Sequence, residues 1–100
     1  MVWKIVWSQE ALDDLNSIRI YIENESYYYA KKCIETVTSE TRRLENFPRL
    51  GRIVPEYESE YMREIFVCDY RIIYNIKQNE IVKIAAIKHG KSILNKKDDN

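Results

Sequence analysis

The sequence has little of the residues that build flexible linkers, metal sites or disulfide frameworks. Its 100 residues include two glycines, two prolines, two cysteines and one histidine. Long flexible linkers are therefore not expected, and the single His89 excludes a histidine-rich metal site. Cys33 and Cys68 do not form a CxxC pair, which excludes a zinc or thioredoxin-type site on local spacing. We expect both to be buried, reduced thiols in a cytoplasmic protein, and we expect no metal and no cofactor.

The chain also lacks an excess of charge of either sign and any long hydrophobic run. Sixteen basic residues balance sixteen acidic ones, so bulk charge gives no indication of nucleic-acid or membrane binding. No stretch approaches the roughly 18 apolar residues of a membrane span. The apolar start, Met1 to Trp7, is too short for a signal peptide and lacks its cleavage site. These absences favour a cytoplasmic protein that does not contact the membrane.

What is present is a composition typical of one globular domain. Hydrophobic residues make up 45% of the chain and charged residues 32%, which argues against disorder. We expect a single domain over residues 1–95. Residues 96–100 are expected to form a mobile tail, as chain ends often do.

The first half of the chain predicts a strand followed by two helices. Residues 2–7 are rich in Val, Ile and Trp and indicate a strand. Ser8 is placed to cap an amphipathic helix, and Ser26 to cap a second one. The second helix should end near Phe47, because Pro48 disfavours helical geometry at the residue before it. Two helices with a short break form an antiparallel helix hairpin.

The second half predicts a sheet. Residues 48–59 contain Gly51 and Pro55 and are typical of a loop. After that loop the period changes to two, with strands expected over residues 61–68, 70–76 and 81–87. Short turns between them predict a three-stranded antiparallel meander. The fold class is therefore α+β, with the helix hairpin packed on one face of the sheet.

Basic residues late in the chain are the main candidates for chemistry. Arg63 and Arg71 lie on neighbouring predicted strands, and Lys88, His89 and Lys91 lie where the last strand ends. If these strands are adjacent, the side chains converge and can hold phosphate oxygens. His89 can transfer a proton near neutral pH.

The structural alternative assigns these residues no chemistry. Arg63 then pairs with Glu60 or Glu64, and the lysines are merely solvated. Other catalytic arrangements are disfavoured, because the chain has no glycine-rich phosphate loop and no GxSxG motif. A Ser-His-Asp set and a carboxylate-pair hydrolase are equally poorly supported.

Three consecutive tyrosines, Tyr27, Tyr28 and Tyr29, begin the second predicted helix. Three successive helical positions span roughly 200° of the helix surface, so they cannot all lie in one narrow seam. At least one is expected to be exposed, and exposed tyrosine is favoured at protein interfaces. The alternative is that the helix start packs against Trp3 or Trp7.

A series of short motifs follows the chain over roughly residues 3 to 94. Its residues are Trp7-Ser8, Ala11, Asp14-Leu15, Ile18, Tyr21-Ile22, Ala30, Ile34, Leu44, Phe47-Pro48, Gly51-Arg52, Val54-Pro55-Glu56, Arg63-Glu64, Tyr70-Arg71-Ile72, Tyr74, Ile87 and His89-Gly90. The order and spacing of these motifs resemble the RelE/ParE superfamily of bacterial toxins. The blocks FP..GR.VPE and RE…YRIIY are closer to the ParE, or plasmid-stabilisation, branch.

The resemblance implies the toxin of a type II toxin–antitoxin system that inhibits growth until a cognate antitoxin neutralises it. ParE-like toxins poison DNA gyrase, whereas RelE-like toxins cut mRNA in the ribosomal A site. Arg63, Arg71, His89 and Lys91 match the positions that would be catalytic only in a nuclease. The arginine that the family usually has in this last block is absent. Either Lys91 replaces it or nothing does, and lysine lacks the arginine fork.

Three hypotheses follow from the resemblance. The first is a gyrase inhibitor without catalysis of its own, favoured by the ParE-like blocks and the zero net charge. The second is a ribosome-dependent mRNA endonuclease. The third is an inactive member that binds an antitoxin and represses its operon as a complex.

The same resemblance implies an antitoxin partner, in a complex that can be a heterotetramer, or a free toxin that can be a homodimer. We expect an amphipathic antitoxin segment to lie on the helix hairpin and the sheet edge. Leu12, Tyr27 and Tyr28 are the predicted contacts.

Overall fold

The computed structural model describes residues 2–91 and shows a helix hairpin packed on a five-stranded sheet. The predicted 96–100 tail lies outside the described residues. No helix between residues 2 and 91 is long and apolar enough to cross a membrane. The elements in chain order are β1 (Lys4–Trp7), α1 (Gln9–Glu23), α2 (Tyr27–Arg42), a 3₁₀ turn (Arg43–Glu45), β2 (Arg52–Ile53), β3 (Met62–Val67), β4 (Tyr70–Lys77) and β5 (Ile81–His89).

Both helices begin at the predicted serine caps. The Ser8 hydroxyl accepts a hydrogen bond of 3.0 Å from the Ala11 amide, and the Ser26 hydroxyl accepts one of 3.1 Å from Tyr29. Each bond satisfies a backbone donor that has no partner within the helix. The second helix tightens into the 3₁₀ turn and ends before Pro48, as predicted.

The sheet contains the predicted meander but is mixed in direction. The strand order is β1-β5-β4-β3-β2, and β3, β4 and β5 are antiparallel neighbours. Strand β1 is parallel to its neighbour β5. The two helices connect β1 to the rest of the sheet and provide the long connection that a parallel pair needs. The loop prediction for residues 48–59 was wrong at Arg52 and Ile53, which pair with β3. This strand forms by pairing with β3. Its two residues are too few to show the alternation of apolar and polar residues that predicts a strand from sequence.

Both turns of the meander use two residues with positive φ. Cys68 and Asp69 join β3 to β4 with φ of 51° and 70°, and Asn79 and Glu80 join β4 to β5. Positive φ at both central residues matches the right-handed twist of the flanking strands. The short turns expected between these strands are confirmed.

The main core lies between the helices and the sheet. Buried apolar side chains from both helices and from β3 to β5 form it, and Trp3 and Trp7 pack against it. A smaller cluster lies on the other face of the sheet and consists of Val54, Met62, Ile73 and Ala86, with Tyr57 against it. The helix hairpin therefore covers one face, and the 54–57 loop covers part of the other.

Beyond the end of β1, Ser8 and the first helix form hydrogen bonds to the backbone of β5. The Ser8 hydroxyl donates to the Ala85 carbonyl at 2.8 Å, and the Ile87 amide donates to Asp14 Oδ2 at 2.9 Å. Asp14 thus satisfies a backbone donor that a neighbouring strand would otherwise pair.

The expectation of two free thiols was wrong. Cys33 on α2 and Cys68 in the β3–β4 turn form a disulfide, with their Cα atoms 6.1 Å apart. The two residues are 35 positions apart in sequence, so local spacing could not reveal that the helix face and the turn meet. Cys33 is buried, as expected, whereas Cys68 is only partly buried.

Candidate functional site

Arg71 lies on the sheet face opposite the helices and is held by two carboxylates. Its Nε donates to Glu64 Oε1 at 2.6 Å, and its two Nη atoms donate to the two oxygens of Glu56 at 2.8 Å each. The side chains of Arg71 and Glu64 are 4% and 0% exposed. Hydrogen bonding to Glu56, and then to Glu64, raises the pKa of Arg71 against the opposing effect of burial.

Arg52 completes this cluster from the neighbouring edge strand. Its Nε donates to Glu64 Oε2 at 2.6 Å, and its guanidinium carbon lies 5.0 Å from the centre of the Phe66 ring. Glu64 therefore bridges two arginines, and the charges of Arg52, Arg71, Glu56 and Glu64 cancel. The Arg71 fork is already bonded to carboxylates on both sides, so it is not presented to a phosphate.

Arg63 points to the other face of the sheet and holds a loop. Its Nε donates to the Glu60 carbonyl at 2.8 Å, and its Nη1 donates to the Gly51 carbonyl at 3.1 Å. It pairs in register with Tyr74. The proposed ion pair with Glu60 or Glu64 is not what forms, because the bond to Glu60 uses its backbone and the Glu64 carboxylate binds Arg71.

Tyr74 and Gly51 fix the same loop against the sheet. The Tyr74 hydroxyl donates to the Pro48 carbonyl at 2.7 Å and accepts from the Gly51 amide at 2.9 Å. A Cβ at Gly51 would lie 2.5 Å from the Glu64 carbonyl oxygen, so the close approach requires glycine. Burial raises the pKa of Tyr74, and the hydrogen bond from Gly51 opposes that rise.

His89 and Lys91 lie at the end of β5. The His89 ring meets the Tyr70 ring edge-on, with 5.8 Å between centroids, and its Nδ1 accepts a 3.2 Å hydrogen bond from the Lys91 amide. Both His89 and Lys91 are exposed.

Lys88 turns to α1 instead of joining these residues. Its Nζ lies 3.0 Å from Glu10 Oε2 and 3.6 Å from Asp14 Oδ2. Burial lowers the pKa of Lys88, but the bond to Glu10 and the charge of Asp14 outweigh it and the net shift is upward.

The four nuclease candidates do not meet in one cluster. Neighbouring strand residues point to opposite faces, so Arg71 lies on the face away from Tyr70 and from His89, which pairs with Tyr70. Arg63 pairs in register with Tyr74. Tyr74 lies four residues, or about 13 Å, along β4 from Tyr70, the partner of His89. The structure therefore does not place an acid–base group beside a phosphate-binding arginine.

The cleft at the other end of the sheet contains no nuclease candidate. A cleft of about 740 Å³ lies at the opposite end of the sheet and is lined by Trp3, Tyr61, Ile76 and neighbouring residues, without any of the four candidates. Among residues 2–91, no group of three or more His, Cys, Asp or Glu side chains is arranged to hold a metal ion.

Comparison with known families identifies the chain. Residues 5–94 match the model of the ParE toxin of type II toxin–antitoxin systems. The chain belongs to the ParE toxin family. A comparison with curated protein sequences finds none that matches. The expected resemblance and α+β fold are thus confirmed.

Solved structures show the same fold at low sequence identity. The chromosomal ParDE system of P. aeruginosa aligns with a TM-score of 0.70 and 18% identity over 88% of this chain and 96% of that one. A double-arginine variant of E. coli RelE in the free state aligns at 0.66 and 12%, over 91% and 86% of the two chains. The RelBE2 complex of Mycobacterium tuberculosis aligns at 0.56 and 17%, over 89% and 99%.

The predicted antitoxin contacts of this ParE-family toxin are exposed on the helix hairpin. Leu12, Tyr27 and Tyr28 expose 46%, 71% and 69% of their surface, and Tyr29 is also exposed. The expectation that at least one of the three tyrosines is exposed is confirmed. Tyr27 lines the groove between the two helices, beside Arg19. Leu12 lies seven residues before Arg19, close to two full helical turns, and therefore on the same face.

Sequence reasoning about the toxin missed the carboxylates that hold its basic residues. Glu56 lies in a loop and Glu64 was considered a partner of Arg63, whereas both bind Arg71. A signal was available, because Arg71 lies on a strand between apolar residues, and a buried arginine requires a carboxylate partner. Asp14 was also missed, since its bond to the Ile87 amide depends on how α1 lies along β5.

Proposed function

We propose that this toxin acts by inhibiting DNA gyrase and performs no catalysis of its own. The observation that carries the proposal is the state of Arg71, whose guanidinium is bound by Glu56 and Glu64 in a neutral, shielded cluster. A toxin that acts by binding a protein target needs no free phosphate-binding arginine. The ParE family match supports the same choice.

The alternative, a ribosome-dependent mRNA endonuclease, has weaker support. Arg63 and Arg71 lie on opposite sheet faces, and His89 lies away from Arg71. The zero net charge of the chain also gives no general attraction to ribosomal RNA. If Lys91 replaces the usual family arginine, it provides a point charge without the bidentate fork.

The topology of a plasmid in cells that express the toxin tests the proposal. Gyrase inhibition predicts that the plasmid becomes relaxed within minutes of induction, while mRNA 5′ ends remain unchanged. Coexpression of the antitoxin should restore negative supercoiling. New mRNA ends within codons, with normal supercoiling, would refute gyrase as the target and support the nuclease.

We infer that the antitoxin binds the helix hairpin at Leu12, Tyr27 and Tyr28. An amphipathic segment laid in a groove uses apolar anchors of this kind, and exposed tyrosine favours interfaces. Hydrogen exchange of the toxin with and without antitoxin tests the surface. Protection is expected within residues 11–44, and its absence there would place the antitoxin elsewhere.

We place the toxin in the cytoplasm, where gyrase and an antitoxin partner would meet it. A toxin isolated only from outside the cytoplasm would contradict this localisation.

The oligomeric state is tested separately. Light scattering of the purified toxin and of its complex distinguishes a homodimer from a monomer, and a heterotetramer from a one-to-one pair.

A further inference from the structure

A cleft of about 390 Å³ lies between the helix hairpin tip and the β3–β4 turn, and no function above uses it. It shares no lining residue with the groove between the two helices that Tyr27 lines. Aromatic rings and two carboxylates dominate its lining. Its main lining residues are Tyr21, Glu25, Tyr29, Asp69, Tyr70 and His89.

The aromatic and acidic residues of this cleft come from separate segments that meet in the folded chain. Burial raises the pKa of Tyr70, and Tyr21, Asp69 and Tyr29 raise it further in that order. Tyr21, Tyr29 and Asp69 line the same cleft as Tyr70. The Tyr70 ring also meets His89 edge-on. The cleft therefore brings together aromatic rings and carboxylates from the helix hairpin, the β3–β4 turn, β4 and β5.

Two carboxylates give the cleft its charge. Glu25 and Asp69 are both exposed. Neither forms an ion pair within residues 2–91, whereas Arg71 and Lys88 are each paired with two acidic groups. An unneutralised acidic cleft walled by aromatic faces is complementary to an organic cation, because the face of an aromatic ring is also negative.

The walls of the cleft are held in place before any ligand binds. The disulfide joins Cys68, which lines the cleft, to Cys33 on the helix that carries Tyr29. The Asp69 carbonyl accepts a 2.8 Å hydrogen bond from the Gly90 amide, next to His89. A preformed site spends less of its interaction free energy on ordering its own side chains.

We propose that this cleft binds an arginine side chain presented by a partner polypeptide. The planar guanidinium can stack on a tyrosine ring while its N–H groups donate to Glu25 or Asp69. Lysine fits less well, since a compact ammonium group makes only one of these two contacts at a time. The assignment goes beyond the proposed function and holds whether the toxin inhibits gyrase or cuts mRNA.

Titration of the ¹⁵N-labelled toxin with a capped Ala-Arg-Ala peptide tests the proposal by NMR. The matched probe is the same peptide with citrulline, which keeps the shape of arginine but carries no charge. We expect saturable shifts at Glu25, Tyr29, Asp69, Tyr70 and His89 with a Kd of about 1 mM, the range of a single anchored side chain. The citrulline peptide should bind at least about fivefold more weakly.

Charge-removing variants separate the cleft from the rest of the surface. The double variant Glu25→Gln with Asp69→Asn should weaken arginine-peptide binding about fivefold, because two charge interactions are lost. Glu35→Gln, at an exposed helix carboxylate lining the other groove, should leave it unchanged. The variants' amide spectra establish that each is folded.

Three results would overturn the proposal. Equal binding of the citrulline peptide would show that charge is not recognised. Equal or tighter binding of a lysine peptide would remove the arginine assignment. No shifts in the cleft at about 20 mM peptide, well above the expected Kd, would remove the site.

Discussion

The Nε atom of Arg71 lies 2.6 Å from Oε1 of Glu64, in an ion pair that solvent barely reaches. Through this pair Arg71, one of the four nuclease candidates, is part of the packing of the sheet. Glu56 occupies the other side of the guanidinium, and Arg52 occupies the other oxygen of Glu64. The arrangement explains how a strand can carry a buried arginine on a face that the helices do not cover.

Removing the Glu64 charge should destabilise the protein strongly. Glu64→Gln leaves Arg71 buried with one carboxylate fewer, so we expect a loss of about 3 kcal/mol in the free energy of unfolding. Urea denaturation measures it. Glu60→Gln is the control, since its pair with Arg49 is exposed and the expected cost is under about 1 kcal/mol. Equal stability of the two variants would contradict the role of the cluster.

Adding a methyl group at Gly51 should displace the loop from the sheet. The new Cβ would lie 2.5 Å from the Glu64 carbonyl oxygen and 2.8 Å from the Tyr74 hydroxyl, and overpacking of this kind costs about 1–3 kcal/mol. Gly90→Ala is the comparison, with a closest contact of 3.0 Å and a smaller expected loss. Thermal unfolding of both variants checks the order, and a harmless Gly51→Ala would show that the loop is not held.

Tyr70 and Tyr74 should ionise at a higher pH than an ordinary tyrosine. Burial raises the pKa of both Tyr70 and Tyr74 above the usual 10.0, so absorbance at 295 nm should show a delayed phase. Because the Tyr74 pKa is higher in the folded state, its contribution to stability is full below pH 10 and is lost as the pH rises through the folded value. Tyr74→Phe should remove part of the delayed phase. A single phase for all tyrosines in the folded protein would contradict the burial of Tyr74.

Breaking the disulfide should loosen the hairpin tip. A bridge between residues 35 positions apart stabilises a protein by about 2–4 kcal/mol, largely by restricting the unfolded chain. Reduction of the purified protein, or Cys68→Ser, should lower the denaturant midpoint accordingly. Thiol titration is the direct check, since two free thiols in the unreduced, denatured protein would show that no bridge exists.

Local signals predicted the elements of this fold, and contacts between distant residues account for what was missed. The serine caps and the alternation of β4 are properties of neighbouring residues, so the helices and the meander could be predicted. The β2 strand, the Cys33–Cys68 bridge and the Glu56–Arg71 pair each join segments that meet only in the folded chain. The convergence of Arg63, Arg71 and His89 was predicted from strand adjacency alone. It failed because side chains on adjacent strand positions point to opposite faces.

The most direct test of the account is the supercoiling of relaxed plasmid DNA by purified gyrase at increasing concentrations of this toxin. If the toxin binds gyrase and needs no catalytic cluster, supercoiling should fall with toxin concentration, and the antitoxin should restore it. The double variant Arg63→Ala with His89→Ala, provided that it is folded, should inhibit as well as the natural chain if these residues serve no chemistry. Undiminished supercoiling at a large excess of folded toxin would contradict the central claim.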